Sequence, residues 1–222
     1  MSFSKEWDAA YAANTHNSIW PWSDLVSYVM CYARPASNNF TALELGCGAG
    51  ANIPFLKSLG VKYYGIEGSA TIVERLRKRF PEYAGTIVTG DFTKDIPFNV
   101  KFDLVVDRGS STHNSTESIE NSIRLIYDKM KPGSKFIGID WFSTTHSDYR
   151  SGKNGGDKNT RMDFKKGQFV GVGKVHFSNE KHLRRLFSDF RIDMMEHKSI
   201  KRTFPKDNND LATWNFVAVK VK

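Results

Sequence analysis

The sequence predicts an α/β fold, a doubly wound parallel sheet with helices on both faces. Three observations carry this. From Ala42 onward, short apolar runs alternate with segments of helical periodicity. The runs are mostly continuous rather than alternating, as expected of strands covered on both sides. The first of them, Ala42–Leu45, leads into glycines at every second position, Gly46, Gly48 and Gly50. There the backbone can turn tightly beneath a ligand that side chains would block.

The elements follow in order. Residues 1–35 form an N-terminal helical extension rich in aromatics, including Trp7, Tyr11, Trp20, Trp22, Tyr28 and Tyr32. Ser23-Asp24 can cap a helix whose apolar positions Leu25, Val26, Val29 and Met30 recur every three or four residues. Pro35 and the polar Ser37-Asn38-Asn39 close it. Strands are expected at Ala42–Leu45, Tyr63–Ile66, Gly85–Thr89, Leu104–Val106 and Phe136–Ile139, with two more at Arg191–Lys198 and Trp214–Val221. Helices are expected near Ile53–Leu59, Thr71–Phe80, Ser118–Lys131 and Glu180–Phe190, the third stopped by Lys131-Pro132-Gly133 and the fourth begun after Ser178. Residues 143–176 are polar and glycine-rich and break the rhythm. Following the carboxyl end of a strand, they read as a substrate lid loop within a single domain spanning 1–222.

Spacing then describes a ligand. The second strand run ends on the Glu67 carboxylate, followed by Gly68, where an acid can accept hydrogen bonds from both hydroxyls of a ribose. After a similar interval, Asp91 and Phe92 offer an acceptor for an adenine amino group and an aromatic face for its ring. Together these point to an adenosine-containing cofactor.

Over Thr41 to Trp141 the chain resembles the class I S-adenosylmethionine-dependent methyltransferases. The resemblance rests on an acid followed by Gly-x-Gly-x-Gly (Glu44, Gly46, Gly48, Gly50), the acid Glu67, the segment Gly90-Asp91-Phe92, and a fourth strand ending near Asp107. A dinucleotide-binding loop would place its third glycine at position 51, which is Ala51. The resemblance implies a Rossmann-like sheet of seven strands with the last antiparallel, and S-adenosylmethionine as cofactor with S-adenosylhomocysteine as product. It also implies that Glu44, Gly46, Cys47, Gly48 and Gly50 hold the methionine end, Glu67 and Gly68 the ribose, and Asp91 with Phe92 the adenine, with Asp107 beside them.

Methyl transfer asks the protein to align a nucleophile, exclude water and remove a proton. The fourth strand leads into Asp107, Arg108 and, beyond three hydroxyl residues, His113. His113 suits a general base near neutrality, Asp107 can position substrate or polarise that base, and Arg108 can hold an anionic acceptor by bidentate contact. Each has a plainer role open to it: a turn cap for Asp107, an ion pair for Arg108, a helix cap for His113. Trp20 and Trp22 can cover the site, with Trp141 opposite and His146 facing the acceptor, or the tryptophans can simply pack on the sheet. Cys47, between two loop glycines, reads as a small residue that fits rather than a nucleophile. Asp107 and Asp140 would suit a magnesium ion, but Trp141 stands where the metal-dependent enzymes follow the second acid with Asn, so no metal is expected.

The remaining bounds are broader. The 222 residues carry a net charge of +8, which fits nucleic acid, an anionic surface or an acidic small substrate. Lysines and arginines gather at 75–79, 153–166 and 198–206. Asp107-Arg108-Gly109-Ser110 lacks the Asn/Asp-Pro-Pro-aromatic stretch of base-modifying enzymes, so a small-molecule acceptor is favoured over nucleic acid. A non-catalytic cofactor-binding scaffold is the other alternative. No run of about 18 apolar residues is present to span a membrane. With no basic-then-apolar leader and only Cys31 and Cys47, reduced thiols in the cytoplasm are expected. A hydroxyl is the expected methyl acceptor, because it needs a base.

Overall fold

The computed structural model describes Trp7, Asp8, Tyr11, Ala13, residues 17–207 and residues 209–222. The helical reading of the extension over residues 1–6, 9, 10, 12 and 14–16 lies outside the described residues. Its remaining part contains helix α1 (Ser23–Tyr32). The chain then runs through β1 (Thr41–Leu45), α2 (Ile53–Ser58), β2 (Lys62–Glu67), α3 (Ala70–Arg79), β3 (Ile87–Thr89) and β4 (Phe102–Arg108). There follow α4 (Thr116–Lys129), β5 (Met130–Phe142), the short strands β6 (Lys153–Asn154), β7 (Thr160–Met162) and β8 (Val175–His176), α5 (Glu180–Leu186), β9 (Phe190–Lys201) and β10 (Asp210–Lys220).

Among the described residues the main sheet has seven strands in the order β3-β2-β1-β4-β5-β10-β9. Strands β1 to β5 pair in parallel, and β10 runs antiparallel to both its neighbours. The expected Rossmann-like sheet with an antiparallel last strand is therefore present. Strand order reverses between β1 and β4, and the carboxyl ends there open a crevice where ligands bind in such sheets.

Alternate residues of each central strand feed opposite cores. Ala42, Leu104, Val106 and Ile137 pack with Val29 of α1, Leu56 of α2 and Val73 of α3. Leu43, Leu45, Val105 and Phe136 pack on the other face with Ile119 and Ile123 of α4 and Leu183 of α5. Every residue of β1 is buried, which explains its continuous apolar run. β9 is one of the two edge strands, and its exposed Lys and Glu side chains guard it against further pairing.

Ser23-Asp24 does not cap α1: Trp22 is the N-cap, without a side-chain bond, and Asp24 instead accepts from Asn215 and Lys198. Helix α5 is capped by the Asn179 side chain, which accepts from the His182 N–H. The largest correction concerns 143–176. It is not a structureless lid but an ordered insertion, with β6, β7 and β8 paired antiparallel. Phe164, Phe169, Val175 and Phe177 give it a small apolar core of its own, against which Phe142 packs. The widely spaced aromatics hid this core, because the intervening residues show neither helical nor strand periodicity. Asp157 pins the insertion to the start of α4 by accepting the Thr116 N–H at 2.9 Å. Burial alone would raise the Asp157 carboxyl, but the Thr116 N–H and the Thr160 hydroxyl hold it well below the usual carboxylate range.

Candidate active site

A cavity of about 620 Å³ opens at the carboxyl ends of β1, β2, β4 and β5. Its floor is the loop after β1. Gly46 has φ +58°, and a Cβ there would lie 2.4 Å from Ser110 Cβ, so the two loops can meet only if position 46 has no side chain. Gly48 has φ +50°, and Tyr11 from the extension sits over it. Gly46, Cys47, Gly48 and Ala49 all line the cavity. Gly50 does not: it turns away with φ +77°, and a Cβ there would collide with Leu76 of α3 and Ile53 of α2. Its role is packing beneath the loop, a correction to its sequence assignment as a cofactor contact.

Two buried carboxylates organise this floor. Glu67, at the end of β2, accepts the Gly48 N–H at 2.8 Å on one oxygen and the Ser69 N–H at 3.0 Å on the other. Each oxygen thus spends one lone pair on backbone and keeps acceptor capacity for hydroxyls. Burial raises the Glu67 carboxyl above its ordinary value, against the pull of those N–H groups. Glu44 accepts from Asn52 Nδ2 at 2.8 Å and from the Tyr63 hydroxyl at 2.6 Å. Burial pushes its pKa to about 7.

Gly68, Gly90, Asp91, Phe92 and Thr93 line the side beyond Glu67. Asp91 Oδ1 is fixed by the Thr93 N–H and hydroxyl at 3.1 and 2.6 Å. The Cys47 thiol is buried among these acids and raised well above its ordinary value, by burial first and Glu67 next. A thiolate nucleophile is therefore disfavoured there.

The opposite wall follows β4 and β5. Asp107 is fully buried and does not line the cavity: its Oδ1 accepts the Ser110 N–H at 2.9 Å, the Ser111 N–H at 3.2 Å and the Ser110 hydroxyl. The structure thus contradicts the placing of Asp107 against cofactor or substrate. It caps the turn that carries Ser110 under Gly46. Arg108 does face the cavity, with its guanidinium 3.6 Å over the Trp22 ring and its Nε and Nη2 on Asp140 Oδ2 at 3.1 and 3.0 Å. His113 also lines the cavity, with Trp7 and Phe142 edge-on to its ring at 4.9 and 6.1 Å. Its Nδ1 meets the Lys174 carbonyl at 3.3 Å. A carbonyl only accepts, so Nδ1 is the donor in this contact.

Three residues expected at the acceptor lie elsewhere. Trp141 is fully buried, packed against Phe136, Phe187 and Phe216; strand alternation turns it away while its neighbours Asp140 and Phe142 line the cavity. His146 lies inside the insertion, where Asp148 N–H and Gln168 engage its two ring nitrogens. Trp20 is 76% exposed and is not a lining residue, whereas Trp22 is. Among the described residues, none between 143 and 176 lines the cavity. The insertion reaches the site through Lys174 instead, bracing His113 rather than covering the acceptor. Asn52 and Asn114 were missed. An Asn directly before the Ile53-Pro54 helix start was the available signal for Asn52.

Residues 42–133 match the family described as a methyltransferase domain. Over that segment the chain is similar to the class I S-adenosylmethionine-dependent methyltransferases. A curated relative from a Streptomyces species, cypemycin N-terminal methyltransferase, is 30% identical over 115 residues, 51% of this chain. The alignment covers 46% of that relative, so the chain spans about half the length of the curated relative it matches. Solved structures of similar fold include a SAM-dependent methyltransferase from Methanosarcina mazei, with TM-score 0.67, 16% identity, and 91% and 99% of the two chains covered. Another is the SAM-bound amino pentose methyltransferase CalS10 from Micromonospora echinaspora, with TM-score 0.58, 16% identity, and 99% and 98% covered.

Proposed function

We propose that this chain is an S-adenosylmethionine-dependent methyltransferase that modifies a small molecule, acting as one domain over 1–222. The observation that carries the cofactor reading is the Glu67 carboxylate, clamped by the Gly48 and Ser69 N–H groups at the end of β2. The residues present fit the cofactor. Side chains at Gly46 and Gly48 would clash with Ser110 and Tyr11, Glu67 suits a ribose, and Asp91 with Phe92 suits an adenine. When bound, S-adenosylmethionine supplies an electrophilic methyl group.

The protein's part is orientation, exclusion of water and proton removal. Trp7, Tyr11, Trp22 and Phe142 wall the cavity with apolar surface. His113, whose Nδ1 meets the Lys174 carbonyl at the cavity wall, is the residue proposed as general base. A base suits the O-methylation expected from sequence. The printed name of the Streptomyces relative favours a second reading, transfer to an amine. An anionic acceptor on Arg108 loses support, because Asp140 already engages that guanidinium. No described helix is long and apolar enough to cross a membrane, and Cys31 and Cys47 are unpaired thiols, in keeping with a cytoplasmic setting.

Calorimetry with S-adenosylmethionine, S-adenosylhomocysteine and NAD tests the reading. Both sulfur ligands are expected to bind, NAD is not, and Glu67→Ala is expected to weaken binding at least about tenfold through its lost charge-assisted bonds. Failure of the sulfur ligands to bind would remove the reading.

A further inference from the structure

The end of the molecule that carries the cavity also carries most of its exposed large apolar side chains. Among the described residues only Tyr32 and Val221 of that class lie at the far end of the sheet, one closing α1 beside the start of β5 and the other just past β10. The rest belong to three segments around the cavity. Ile19, Trp20 and Trp22 precede α1, and Trp22 is itself a lining residue. Val170 sits in the insertion near the exposed Lys165 and Lys166, on a loop anchored by buried Phe164 and Phe169. Ile200 and Phe204 lie where β9 turns into β10. Because β10 is antiparallel to both β5 and β9, that turn stands at the carboxyl end of β5. Contacts hold the three segments together: the Lys174 carbonyl of the insertion meets His113, the Asp210 N–H donates to Ser147 Oγ at 2.6 Å, and Lys198 of β9 bonds Asp24 of α1.

Charge on this face has one sign to spare. Asp163 is paired with Lys153, Asp207 with Arg202 and Asp210 with Lys201. Lys165, Lys166, Lys174 and Lys206 stand outside those pairs and are exposed. The shape decides between partners. Trp20 is 76% and Phe204 91% exposed, so these side chains are protrusions and not the walls of a groove that would seat a folded protein or a peptide. A lipid interface admits isolated apolar tips at headgroup depth, and its anionic headgroups attract lysines placed beside them. We infer that the cavity-bearing face docks on an anionic lipid surface, with Trp20 and Phe204 entering the interface and Lys165, Lys166, Lys174 and Lys206 meeting the headgroups. The cavity mouth then opens toward the lipid. The inference rests on the surface alone and is independent of which cofactor the cavity takes.

The test is co-sedimentation of the full chain with vesicles of phosphatidylcholine and with vesicles of an equal mixture of phosphatidylcholine and phosphatidylglycerol. Partitioning onto the mixed vesicles is expected to be at least about tenfold stronger and to fall as salt is raised. Trp20→Ser/Phe204→Ser should weaken it at least about tenfold, and so should Lys165→Glu/Lys166→Glu. Tyr32→Ser/Val221→Ser, at the far end of the sheet, should leave it unchanged. All six side chains are exposed, and unaltered thermal unfolding reports that each variant is folded. No binding to the mixed vesicles, equal binding to both kinds, binding that survives Trp20→Ser/Phe204→Ser, or an equal loss in Tyr32→Ser/Val221→Ser would overturn the inference. Self-association in sedimentation velocity that Trp20→Ser/Phe204→Ser removes, with no vesicle binding, would overturn it too and assign the face to a second copy of the chain.

Discussion

Glu44→Gln probes the floor of the site through its effect on stability. Glu44 is fully buried, and burial, reinforced by the charges of Glu67 and Asp107, raises its pKa from 4.5 to about 7 against the help of Tyr63 and Asn52. A carboxyl raised in this way takes up a proton on folding. The stability it adds is complete below about pH 4.5 and is lost as pH rises through about 7. The interval from 4.5 to about 7 corresponds to about 3 kcal/mol at 1.36 kcal/mol per unit. Gln keeps the shape: its amide oxygen accepts from Asn52 and its NH₂ donates to the Tyr63 oxygen. Gln does not titrate.

Urea unfolding of the ligand-free protein and of Glu44→Gln across a pH series reads the effect directly. The wild type's unfolding free energy, taken relative to the variant, should fall by about 2–3 kcal/mol between about pH 5 and about pH 8. Groups that titrate in both proteins, such as His176 and His182, drop out of the difference. A difference that stays flat across this range would refute the argument that Glu44 is held in a desolvated site.

Three further outcomes are expected. His113→Gln should lower turnover by about 10²–10⁴-fold while leaving S-adenosylhomocysteine affinity in place, as befits a general base; parallel loss of affinity would point to packing instead. Gly46→Ala should destabilise the fold and weaken cofactor binding together, because its Cβ would lie 2.4 Å from Ser110 Cβ at φ +58°; thermal unfolding and calorimetry check both. His176 and His182 face each other at 3.0 Å where the insertion meets α5, and burial lowers their pKa values to about 3 and about 4. Their contribution to stability is complete above the ordinary value of 6.5 and is lost as pH falls toward those folded values. Denaturant unfolding should therefore show a shallower acid loss in the His176→Gln/His182→Gln double variant.

The floor of the cavity was legible in the sequence because backbone chemistry writes itself locally. Glycines at positive φ and an acid at a strand end are dictated by the turn itself, so Gly46, Gly48 and Glu67 could be placed from spacing alone. Gly50 shows the limit of that logic. The same positive φ serves packing on α2 and α3, and spacing does not distinguish the two uses. The wall along β4 and β5 was harder because its side chains are placed by tertiary contacts. One step along β5 separates buried Trp141 from cavity-lining Asp140 and Phe142, and which phase of that alternation faces the cavity is set by the pairing of β5 with its neighbours. Asp107 looked functional for the reason that makes it structural: it is the last carboxylate before the turn, and Ser110 and Ser111 consume it. The insertion's aromatic core was invisible because its members meet only after three short strands have paired.

The two halves of the cavity are not independent walls. Glu44 accepts from Asn52 Nδ2, and Asn52 Oδ1 accepts the Trp22 N–H at 3.3 Å. Trp22 carries the Arg108 guanidinium on its ring, and Arg108 holds Asp140. A continuous series of contacts therefore runs from the methionine end of the proposed cofactor site to the Asp140 carboxylate on the opposite wall. Displacing any link disturbs a neighbour whose position depends on it, because Asn52 has both polar atoms committed and Asp140 sits in a backbone conformation held by its partners. In-line displacement requires the nucleophile and the methyl group to be aligned within a fraction of an ångström. A scaffold that fixes both sides through the same few side chains meets that requirement, with β4 and β5 carrying Arg108 and Asp140 on adjacent paired strands.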